Sequence, residues 1–282
     1  MVPGVDDADA ISPEHCPTTN GIPMLGLGTY RNTDPDQCTE SVRTALEVGY
    51  RHVDTAQLYD NERAVGAGID RADVDREDVT LATKVWYTDL SYDDVLETTR
   101  ASLARLGVDS VDLLYVHWPA DTYDADETMA AFSELADDGL IDAVGVSNFT
   151  PELLGEAIDA CDVPIVANQV ELHPLLQQPE LREVCASHDV AVVAYAPIAR
   201  GAVVDHPVLR EIAADHDGTE VQVSLAWLRQ NGIVAIPKAT GTDHIRQNWA
   251  SLGLELEPAE LERIDAIDAG RRAVDPDLAA WN

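Results

Sequence analysis

The sequence predicts an α/β fold, a (β/α)8 barrel of the TIM type with an N-terminal β-hairpin and an extra C-terminal helix. Eight short runs of apolar and β-branched residues alternate with amphipathic stretches of helical period, and no long Pro/Gly/Ser-rich linker separates them. A closed barrel commonly occupies a single domain of about this length, 282 residues. Eight evenly spaced units favour closure over a doubly wound open sheet. We therefore expect one domain over residues 1–282, with residues 1–16 as a poorly ordered acidic segment.

Each predicted strand is a short apolar run, as expected for strands that are covered on both sides. The runs are Leu25–Tyr30, Arg51–Ala56, Val79–Trp86, Val111–Trp118, Ala143–Phe149, Ile165–Leu172, Ala191–Ile198 and Ile233–Lys238. The helical periods between them are Asp36–Val48, Glu62–Arg71, Ser91–Leu106, Asp126–Asp138, Pro151–Cys161, Pro179–His188 and Val221–Arg229. Thr150 before Pro151 has the signature of a helix start, an N-cap followed by proline at the first helical position.

Two short elements flank the predicted barrel. A turn at Asn20-Gly21 predicts a hairpin over Thr18–Met24 that closes the bottom of the barrel. Pro258–Asp268 is predicted to form a capped helix after the eighth unit.

The chain is strongly acidic and almost free of lysine. It has 52 Asp and Glu against 18 Lys and Arg, a net charge of −34, and its only lysines are Lys84 and Lys238. Such a charge strains the compact state by self-repulsion, but in 1 M salt the screening length falls to about 3 Å. The acids are spread from Asp6 to Asp277, which argues against an acidic tail. The composition therefore predicts a halophilic protein from a cytoplasm of molar salt.

The same composition argues against several classes of protein. A large negative charge disfavours binding to nucleic acid or to anionic lipid. No apolar run is long enough to span a membrane, and the acidic N-terminus does not resemble a secretion signal. Cys16, Cys38, Cys161 and Cys185 lack the spacing of a metal site, so no metal is predicted. We expect a cytoplasmic protein without a membrane partner, as a monomer or weak dimer.

Polar and ionisable side chains collect at the predicted strand ends. They are Asp54, Lys84, His117, Ser147, Asn148, Gln169, Tyr195 and Lys238. The carboxyl ends of barrel strands meet at one rim, where the active sites of this fold lie. The loop after the second strand returns Tyr59 to that rim. Because lysine is nearly absent elsewhere, we expect both lysines to serve this one site.

Seven short motifs give the chain a recognisable signature. They are Gly26-Leu27-Gly28-Thr29-Tyr30, Asp54-Thr55-Ala56 with Tyr59-Asp60-Asn61-Glu62, Thr83-Lys84-Val85-Trp86, His117-Trp118-Pro119, Gly145-Val146-Ser147-Asn148-Phe149, Asn168-Gln169 and Ile236-Pro237-Lys238. In type and order they resemble the signatures of the aldo-keto reductase family, over roughly residues 20–282. The end of the chain, Arg272-Ala273-Val274-Asp275-Pro276 with Trp281, most resembles the prokaryotic 2,5-diketo-D-gluconic acid reductase branch, which includes methylglyoxal and small-aldehyde reductases.

The resemblance implies a carbonyl reductase with four catalytic residues, Asp54, Tyr59, Lys84 and His117. Hydride transfer to a carbonyl carbon develops negative charge on the oxygen, so a proton donor must be aimed there. Tyr59 would be that donor, since a phenol of pKa about 10 is protonated at neutral pH. Lys84 would stabilise the resulting phenolate and Asp54 would hold Lys84. His117 would orient the substrate oxygen.

The resemblance also implies a nicotinamide dinucleotide, bound without the G-x-G-x-x-G motif of a Rossmann site. Ser147, Asn148 and Gln169 would bind the nicotinamide carboxamide, and Tyr195 would stack on its ring. Lys238 would meet the 2′-phosphate of NADPH. The further cofactor residues that the resemblance implies are Gly28, Thr29, Pro197, Ile198, Ala239, Thr240, His244, Gln247 and Asn248.

Two positions depart from the family pattern. Ala239 stands where the family usually has serine, and His244 stands where it usually has an arginine that grips the 2′-phosphate. A neutral histidine donates one hydrogen bond to a phosphate, whereas arginine presents a planar fork of donors. We therefore expect NADPH as the main cofactor, held less tightly than is usual, with NADH as a second cofactor.

The substrate pocket is predicted from three aromatic residues. Tyr30, Trp86 and Trp118 match the aromatic lining of the family's pocket, and core packing is the alternative for each. The loops after His117 and Ala199 are short, so we expect them to leave the mouth of the pocket open. An open pocket suits a small polar carbonyl compound, such as a keto sugar acid, a methylglyoxal-like compound or a sugar aldehyde. The alternative function is a non-catalytic subunit that binds the dinucleotide on the same barrel.

Overall fold

The computed structural model describes residue 8 and residues 11–281. In this part of the chain, an antiparallel hairpin precedes eight parallel strands, and each parallel strand pairs with the next along the chain. The strands are β1 Thr18–Thr19, β2 Ile22–Pro23, β3 Leu27–Gly28, β4 His52–Asp54, β5 Thr80–Val85, β6 Val111–Val116, β7 Ile141–Ser147, β8 Ile165–Glu171, β9 Ala191–Tyr195 and β10 Val234–Ala235. The helices are α1 Pro35–Val48, α2 Glu62–Arg71, α3 Tyr92–Leu106, α4 Ala125–Asp137, α5 Pro151–Ala160, α6 Pro179–Ser187, α7 Pro207–Asp215, α8 Glu220–Gln230, α9 Thr242–Ala250 and α10 Pro258–Asp265.

Backbone hydrogen bonds close the sheet into a barrel. Gly26 N donates to Ala235 O at 2.9 Å, and Ala235 N donates to Met24 O at 2.8 Å. Gly28 N donates to Pro237 O at 3.2 Å. These bonds join the chain around β3 to the chain around β10, so the first and last strands are neighbours. The predicted (β/α)8 barrel is confirmed, and the open sheet is excluded.

Some strands differ in length from their predictions. β9 ends at Tyr195 rather than at Ile198, because Ala196 has a left-handed backbone with φ 46°, which does not continue a strand. β3 and β10 have only two residues each. The residues next to them, such as Leu25 and Lys238, make isolated bridges rather than continuous strand pairing. β7 begins at Ile141, two residues before its predicted start.

Two helices of the structure have no counterpart in the sequence prediction. α7 lies in the connection after β9, and α9 follows β10 directly. The core-facing side of α9 has Ile245 and Trp249 as its only large apolar side chains, too few to show a clear helical period in the sequence. α10 has its predicted start and ends at Asp265, three residues before its predicted end.

The N-terminal hairpin covers the bottom of the barrel, as predicted. Ile22 and Met24 belong to the apolar cluster in the barrel interior. Asn20 Nδ2 donates to Val166 O at 3.2 Å and to Asp189 O at 2.7 Å. The asparagine of the hairpin turn therefore satisfies carbonyl groups on two other segments at the bottom of the barrel.

The chain before the hairpin also contacts the barrel. Ile11 is buried, and its carbonyl accepts a hydrogen bond from Trp249 Nε1 at 2.9 Å. Pro13–His15 form a single 3-10 turn. Residues 1–7, 9 and 10 lie outside the described part, so the prediction of poor order stays a prediction for them. Among the described residues, no helix combines the length and hydropathy that a membrane span needs.

One close packing contact shapes the barrel interior below the rim. Tyr115 on β6 and Gly145 on β7 are partners in the strand register. A Cβ atom at Gly145 would lie 2.5 Å from the Tyr115 ring, so only glycine leaves room for that ring. Gly145 therefore has a packing role in the barrel interior.

Candidate active site

A buried ion pair lies at the carboxyl ends of β4 and β5. Lys84 Nζ lies 2.5 Å from Asp54 Oδ1, and their side chains are 0% and 2% exposed. Lys84 Nζ also donates to Thr55 O at 2.8 Å, and Gln169 Nε2 donates to Asp54 Oδ2 at 2.8 Å. Burying two charges is costly unless their remaining donors and acceptors are satisfied. Both carboxylate oxygens of Asp54 have a donor here, as a buried pair requires.

The charge on Lys84 depends on its partner. Burial lowers the pKa of the Lys84 ammonium, because the charged form loses hydration. The Asp54 carboxylate acts in the opposite direction through its charge and its hydrogen bond. Asp54 therefore favours an ammonium at a fully buried position.

The Tyr59 ring lies beside this ion pair. Its centroid is 5.1 Å from Lys84 Nζ and 5.8 Å from the His117 ring, which meets it edge-on at 78°. Burial raises the pKa of the Tyr59 phenol well above its usual value, and the negative charge of Asp54 raises it further. The phenol is therefore protonated at neutral pH. A protonated phenol with an ammonium and an imidazole beside it can donate a proton to a bound oxygen.

Two side chains fix the loop that carries Tyr59. Gln57, in the same 3-10 turn as Tyr59, accepts a hydrogen bond from Trp86 N at 3.1 Å and donates to Ser102 Oγ at 3.2 Å. Asn61 accepts from Thr55 Oγ1 at 2.9 Å. The loop is therefore tied to β5, to α3 and to its own start, which restricts where the phenol can lie.

The His117 imidazole is held in its neutral form. Burial lowers the pKa of His117 well below its ordinary range, and the charge on Lys84 lowers it further. The Trp86 ring lies 4.9 Å from the imidazole at 78°, and Asn148 Nδ2 donates to His117 O at 3.0 Å. A neutral imidazole carries one N–H, which can donate to an oxygen atom in the cavity.

The polar residues at the ends of β7, β8 and β9 bond to one another. Ser147 Oγ donates to Gln169 O at 2.8 Å, and Tyr195 Oη donates to Asn148 Oδ1 at 2.8 Å. Asn148 has a left-handed backbone, φ 65°, immediately after β7. These contacts orient the side chains that the sequence predicted for a nicotinamide carboxamide.

Most of the predicted site residues line one cavity of about 490 Å³. Those that line it are Gly28, Thr29, Tyr30, Asp54, Tyr59, Trp86, His117, Trp118, Ser147, Asn148, Gln169, Tyr195, Pro197, Ile198 and Lys238. Lys84 does not line the cavity, because its side chain is fully buried. It contacts Asp54, which does line the cavity. The two lysines therefore reach this site in different ways, since Lys238 is exposed at the cavity.

The remaining predicted cofactor residues do not line the cavity. They are Ala239, Thr240, His244, Gln247 and Asn248, which follow β10 or lie on α9. Ala239 and Asn248 are buried, whereas His244 is exposed. Gln247 O accepts a hydrogen bond from Gln222 Nε2 at 3.2 Å, which joins α9 to α8.

Several cavity residues were not identified from the sequence. They are Arg31, Leu58, Ala196, Ile236, Val274, Pro276 and Leu278. Arg200 also lines the cavity, and it lies in the stretch from Pro197 to Ala202 where the resemblance implies main-chain contacts to the pyrophosphate. Arg31 directly follows Tyr30 and Leu58 directly precedes Tyr59, so their place beside predicted site residues was a usable signal. Val274 and Pro276 belong to the C-terminal segment that resembles the family, but nothing in the sequence placed that segment or Leu278 at the cavity, because it reaches the rim only in the folded chain.

Long-range contacts hold this C-terminal segment at the cavity. Glu171 at the end of β8 accepts hydrogen bonds from Ala273 N at 2.6 Å and Val274 N at 2.8 Å. The Trp281 ring lies 5.6 Å from the Trp118 ring and 4.1 Å from the Arg272 guanidinium. The end of the chain is therefore part of the wall of the candidate site.

The cavity carries positive charge although the chain is acidic. Arg31, Arg200 and Lys238 line it. Among the described residues that line it, Asp54 is the only carboxylate, and Lys84 is its counterion. A positive cavity in a negatively charged protein favours an anionic ligand. The described residues contain no group of His, Cys, Asp and Glu side chains suited to a metal ion.

Comparison with known proteins identifies related sequences. Residues 21–269 match the Aldo/keto reductase family. The chain is 40% identical over 260 residues to a 9,11-endoperoxide prostaglandin H2 reductase of Trypanosoma cruzi (strain CL Brener), covering 91% of this chain and 92% of that protein. It is 39% identical over 266 residues to a methylglyoxal reductase of Salmonella typhi, covering 93% of this chain and 99% of the relative.

Solved structures share the fold over most of its length. One that carries the name 2,5-diketo-D-gluconic acid reductase B matches with a TM-score of 0.89 and 34% identity, covering 94% of this chain and 96% of its own. A Bombyx mori aldo-keto reductase in complex with NADP matches with a TM-score of 0.84 and 32% identity, covering 90% and 92% of the two chains.

Proposed function

This chain belongs to the aldo/keto reductase family, and from that premise we propose that it reduces a small polar aldehyde or ketone to the alcohol with NADPH. The observation that carries the proposal is the position of the Tyr59 ring, 5.1 Å from Lys84 Nζ and 5.8 Å from the His117 ring. A protonated phenol, a buried ammonium and a neutral imidazole at one cavity supply the proton and the hydrogen bonds that carbonyl reduction needs.

Tyr59 is the proposed proton donor. A bound nicotinamide would supply hydride to the carbonyl carbon, and the π electron pair of the C=O bond would move to the oxygen. The Tyr59 O–H bond then breaks and its proton joins that oxygen, which gives an alcohol and a phenolate. Lys84 stabilises the phenolate by its charge, and Asp54 keeps Lys84 charged and in place. Turnover requires that the phenolate recover a proton from solvent.

His117 is the proposed orienting residue. It lines the cavity beside the Tyr59 ring, and its lowered pKa keeps the imidazole neutral. A neutral ring donates a single hydrogen bond, so it can direct the substrate oxygen toward the phenol. The contact of its ring with Trp86 restricts the plane in which that donor lies.

The chemistry of the cavity fits a nicotinamide dinucleotide. Ser147, Asn148 and Gln169 present hydroxyl and amide groups for the carboxamide, and the partly exposed Tyr195 presents a ring for stacking. Lys238 supplies an exposed ammonium for the 2′-phosphate of NADPH. The related Bombyx mori structure with NADP supports this class of cofactor.

We propose NADPH as the preferred cofactor, with NADH as a usable second one. Lys238 supplies a full charge at the proposed 2′-phosphate position, whereas Ala239 lacks a hydroxyl and His244 lacks the guanidinium fork. The grip on the phosphate should therefore be weaker than in a site with all three donors. Thr240 or Arg246 would offset part of this loss if its side chain reached the phosphate.

The proposed substrate is a small polar carbonyl compound, such as a keto sugar acid, a methylglyoxal-like compound or a sugar aldehyde. The names of two relatives, methylglyoxal reductase and 2,5-diketo-D-gluconic acid reductase B, support this class. Tyr30, Trp86 and Trp118 line the cavity, which supports a substrate-binding role for them. The arginines at the cavity would favour a substrate with negative charge.

The setting of the reaction is also proposed from composition. A net charge of −34 suits a cytoplasm of molar salt, where surface carboxylates repel one another only at short range. We propose that the protein acts there as a monomer or weak dimer.

The alternative is a subunit that binds the dinucleotide without reducing a substrate. A direct experiment separates the two: NADPH fluorescence and NADPH consumption are measured in molar KCl, with and without methylglyoxal and a panel of keto acids and sugar aldehydes. Consumption that depends on the carbonyl compound supports the reductase. Binding of NADPH without consumption by any member of the panel contradicts it.

A further inference from the structure

The last residues of the chain form one wall of the cavity. Val274, Pro276 and Leu278 line it beside the aromatic residues of the opposite loops. The Trp281 ring packs at 5.6 Å from the Trp118 ring, which also lines the cavity. We refer to residues 273–281 as the tail wall. Its position relative to Tyr59 sets how much room a substrate has.

Glu171 anchors the start of the tail wall. It lies at the end of β8, two residues after Gln169, and is fully buried. Each of its carboxylate oxygens accepts a backbone N–H, from Ala273 at 2.6 Å and from Val274 at 2.8 Å. Two bonds from consecutive residues fix the direction of the chain as well as its place.

The surroundings of Glu171 make a carboxylate necessary. His173 Nε2 lies 3.0 Å from Glu171 Oε1, and the histidine is fully buried as well. A buried carboxylate is stable only when donors satisfy its oxygens, and backbone N–H groups bound to it form charge-assisted bonds. A glutamine in its place would turn an NH2 group toward one of the two backbone N–H donors. That exchange would break at least one anchor while keeping nearly the same volume.

From these contacts we propose that Glu171 is a positioning residue that sets substrate selectivity through the tail wall. It does not touch the reacting atoms. By holding Ala273 and Val274 it places Val274, Pro276 and Leu278 against a substrate long enough to reach them. A compound as small as methylglyoxal makes little use of that wall, whereas a substituted benzaldehyde makes more use of it. This inference rests on the proposed reductase function.

The test is Glu171→Gln, with Glu183→Gln as the matched control on the exposed side of α6. kcat/KM is measured with NADPH in molar KCl for methylglyoxal and for 4-nitrobenzaldehyde. We expect the ratio of 4-nitrobenzaldehyde to methylglyoxal to fall about tenfold in Glu171→Gln, mainly through KM, a change of about 1.4 kcal/mol. The Kd of Glu171→Gln for NADPH should stay unchanged. In the control Glu183→Gln, kcat/KM for both aldehydes should equal the wild-type values.

A second variant of the full chain tells positioning through the tail wall apart from a general structural effect. Leu278→Ala removes a side chain of the wall while both bonds to Glu171 stay in place, and the selectivity ratio should fall. Adding Glu171→Gln to Leu278→Ala should then change the ratio by less than Glu171→Gln does alone, because both changes act on the same wall. A full additional effect of Glu171→Gln in the Leu278→Ala chain overturns the inference, as does an unchanged ratio in Glu171→Gln alone.

Two further measurements cover other outcomes. If Glu171→Gln does not fold, Ala273→Pro removes one N–H donor while Glu171 stays intact, and it should lower the same ratio. Amide hydrogen exchange of Ala273 and Val274 should rise at least tenfold in Glu171→Gln and not in the control. That readout needs no turnover, so normal exchange overturns the inference by itself. Absence of turnover in the wild-type protein contradicts the proposed function instead.

Discussion

Gln169 and Asp54 lie 115 residues apart in the chain, and a hydrogen bond of 2.8 Å joins them across the barrel interior. Gln169 Nε2 donates to the carboxylate oxygen that Lys84 does not use. The side chain proposed to contact the nicotinamide is therefore also a support of the ion pair beside Tyr59. A substitution at Gln169 changes both functions at once.

Tyr59→Phe tests the proton donor. The ring remains and only the hydroxyl is lost, so we expect NADPH affinity to stay nearly unchanged while turnover falls below about a tenth, a loss of more than about 1.4 kcal/mol. Single-turnover and steady-state rates with methylglyoxal measure the effect. Tyr92→Phe on α3 is the matched control, since it removes a phenol hydroxyl away from the cavity. Retention of more than a tenth of the wild-type rate means the assignment is wrong.

Gln57→Leu tests the loop that carries Tyr59. The variant leaves Trp86 N and Ser102 Oγ without their Gln57 partner, and an unsatisfied N–H costs about 1–3 kcal/mol. We expect kcat to fall about tenfold because the phenol is less well placed. Gln57→Glu keeps an acceptor for Trp86 N and should retain more activity than the leucine variant. Equal kcat values for the two variants and the wild type would show that these bonds do not position Tyr59.

Acid should destabilise the fold through its buried histidines. Burial lowers the pKa values of His117 and His52, so the unfolded chain takes up protons near pH 6.5 while the folded chain does not. Their contribution to stability is therefore present above about pH 6.5 and is lost as the pH falls through the lowered folded-state pKa.

Urea unfolding of wild type and His117→Gln at pH 8 and pH 5.5 in 2 M KCl measures this contribution. The variant should lose less stability on acidification than the wild type. His244→Gln, at an exposed position on α9, is the control and should behave as the wild type does. The same loss in His117→Gln and in wild type contradicts the prediction.

Salt should stabilise the protein. At low ionic strength the surface carboxylates of a chain with net charge −34 repel one another, and molar salt screens that repulsion. We expect Tm to rise between dilute buffer and 2 M KCl. A Tm that stays flat across this range would remove the argument for adaptation to salt.

Cofactor preference tests the proposed 2′-phosphate position. A charge-assisted hydrogen bond contributes about 1.5–3 kcal/mol, and the missing serine and arginine should reduce the total by a comparable amount. We expect kcat/KM with NADPH to exceed that with NADH about tenfold. Lys238→Ala should erase this preference, and His244→Arg should widen it. A wild-type preference for NADH, or no response to Lys238→Ala, would show that the position is misplaced.

The sequence by itself determined the class of fold and the place of the polar rim. Strand and helix periods are local, and in a parallel barrel the carboxyl ends of strands share one side, so Asp54, Lys84 and His117 follow from their positions along the chain. The short motifs that mark the family are also local. For these reasons the family and the barrel could be predicted, and both are confirmed.

Only the tertiary structure decided the contacts between distant segments. The bond from Ala273 N to Glu171 spans 102 residues, and no local period encodes it. The left-handed turn at Ala196 ends β9 early, and α9 has too few large apolar residues to be predicted. Packing and hydrogen bonding between remote parts of the chain therefore determine the wall of the cavity and the support of its buried ion pair, and sequence spacing does not report such contacts.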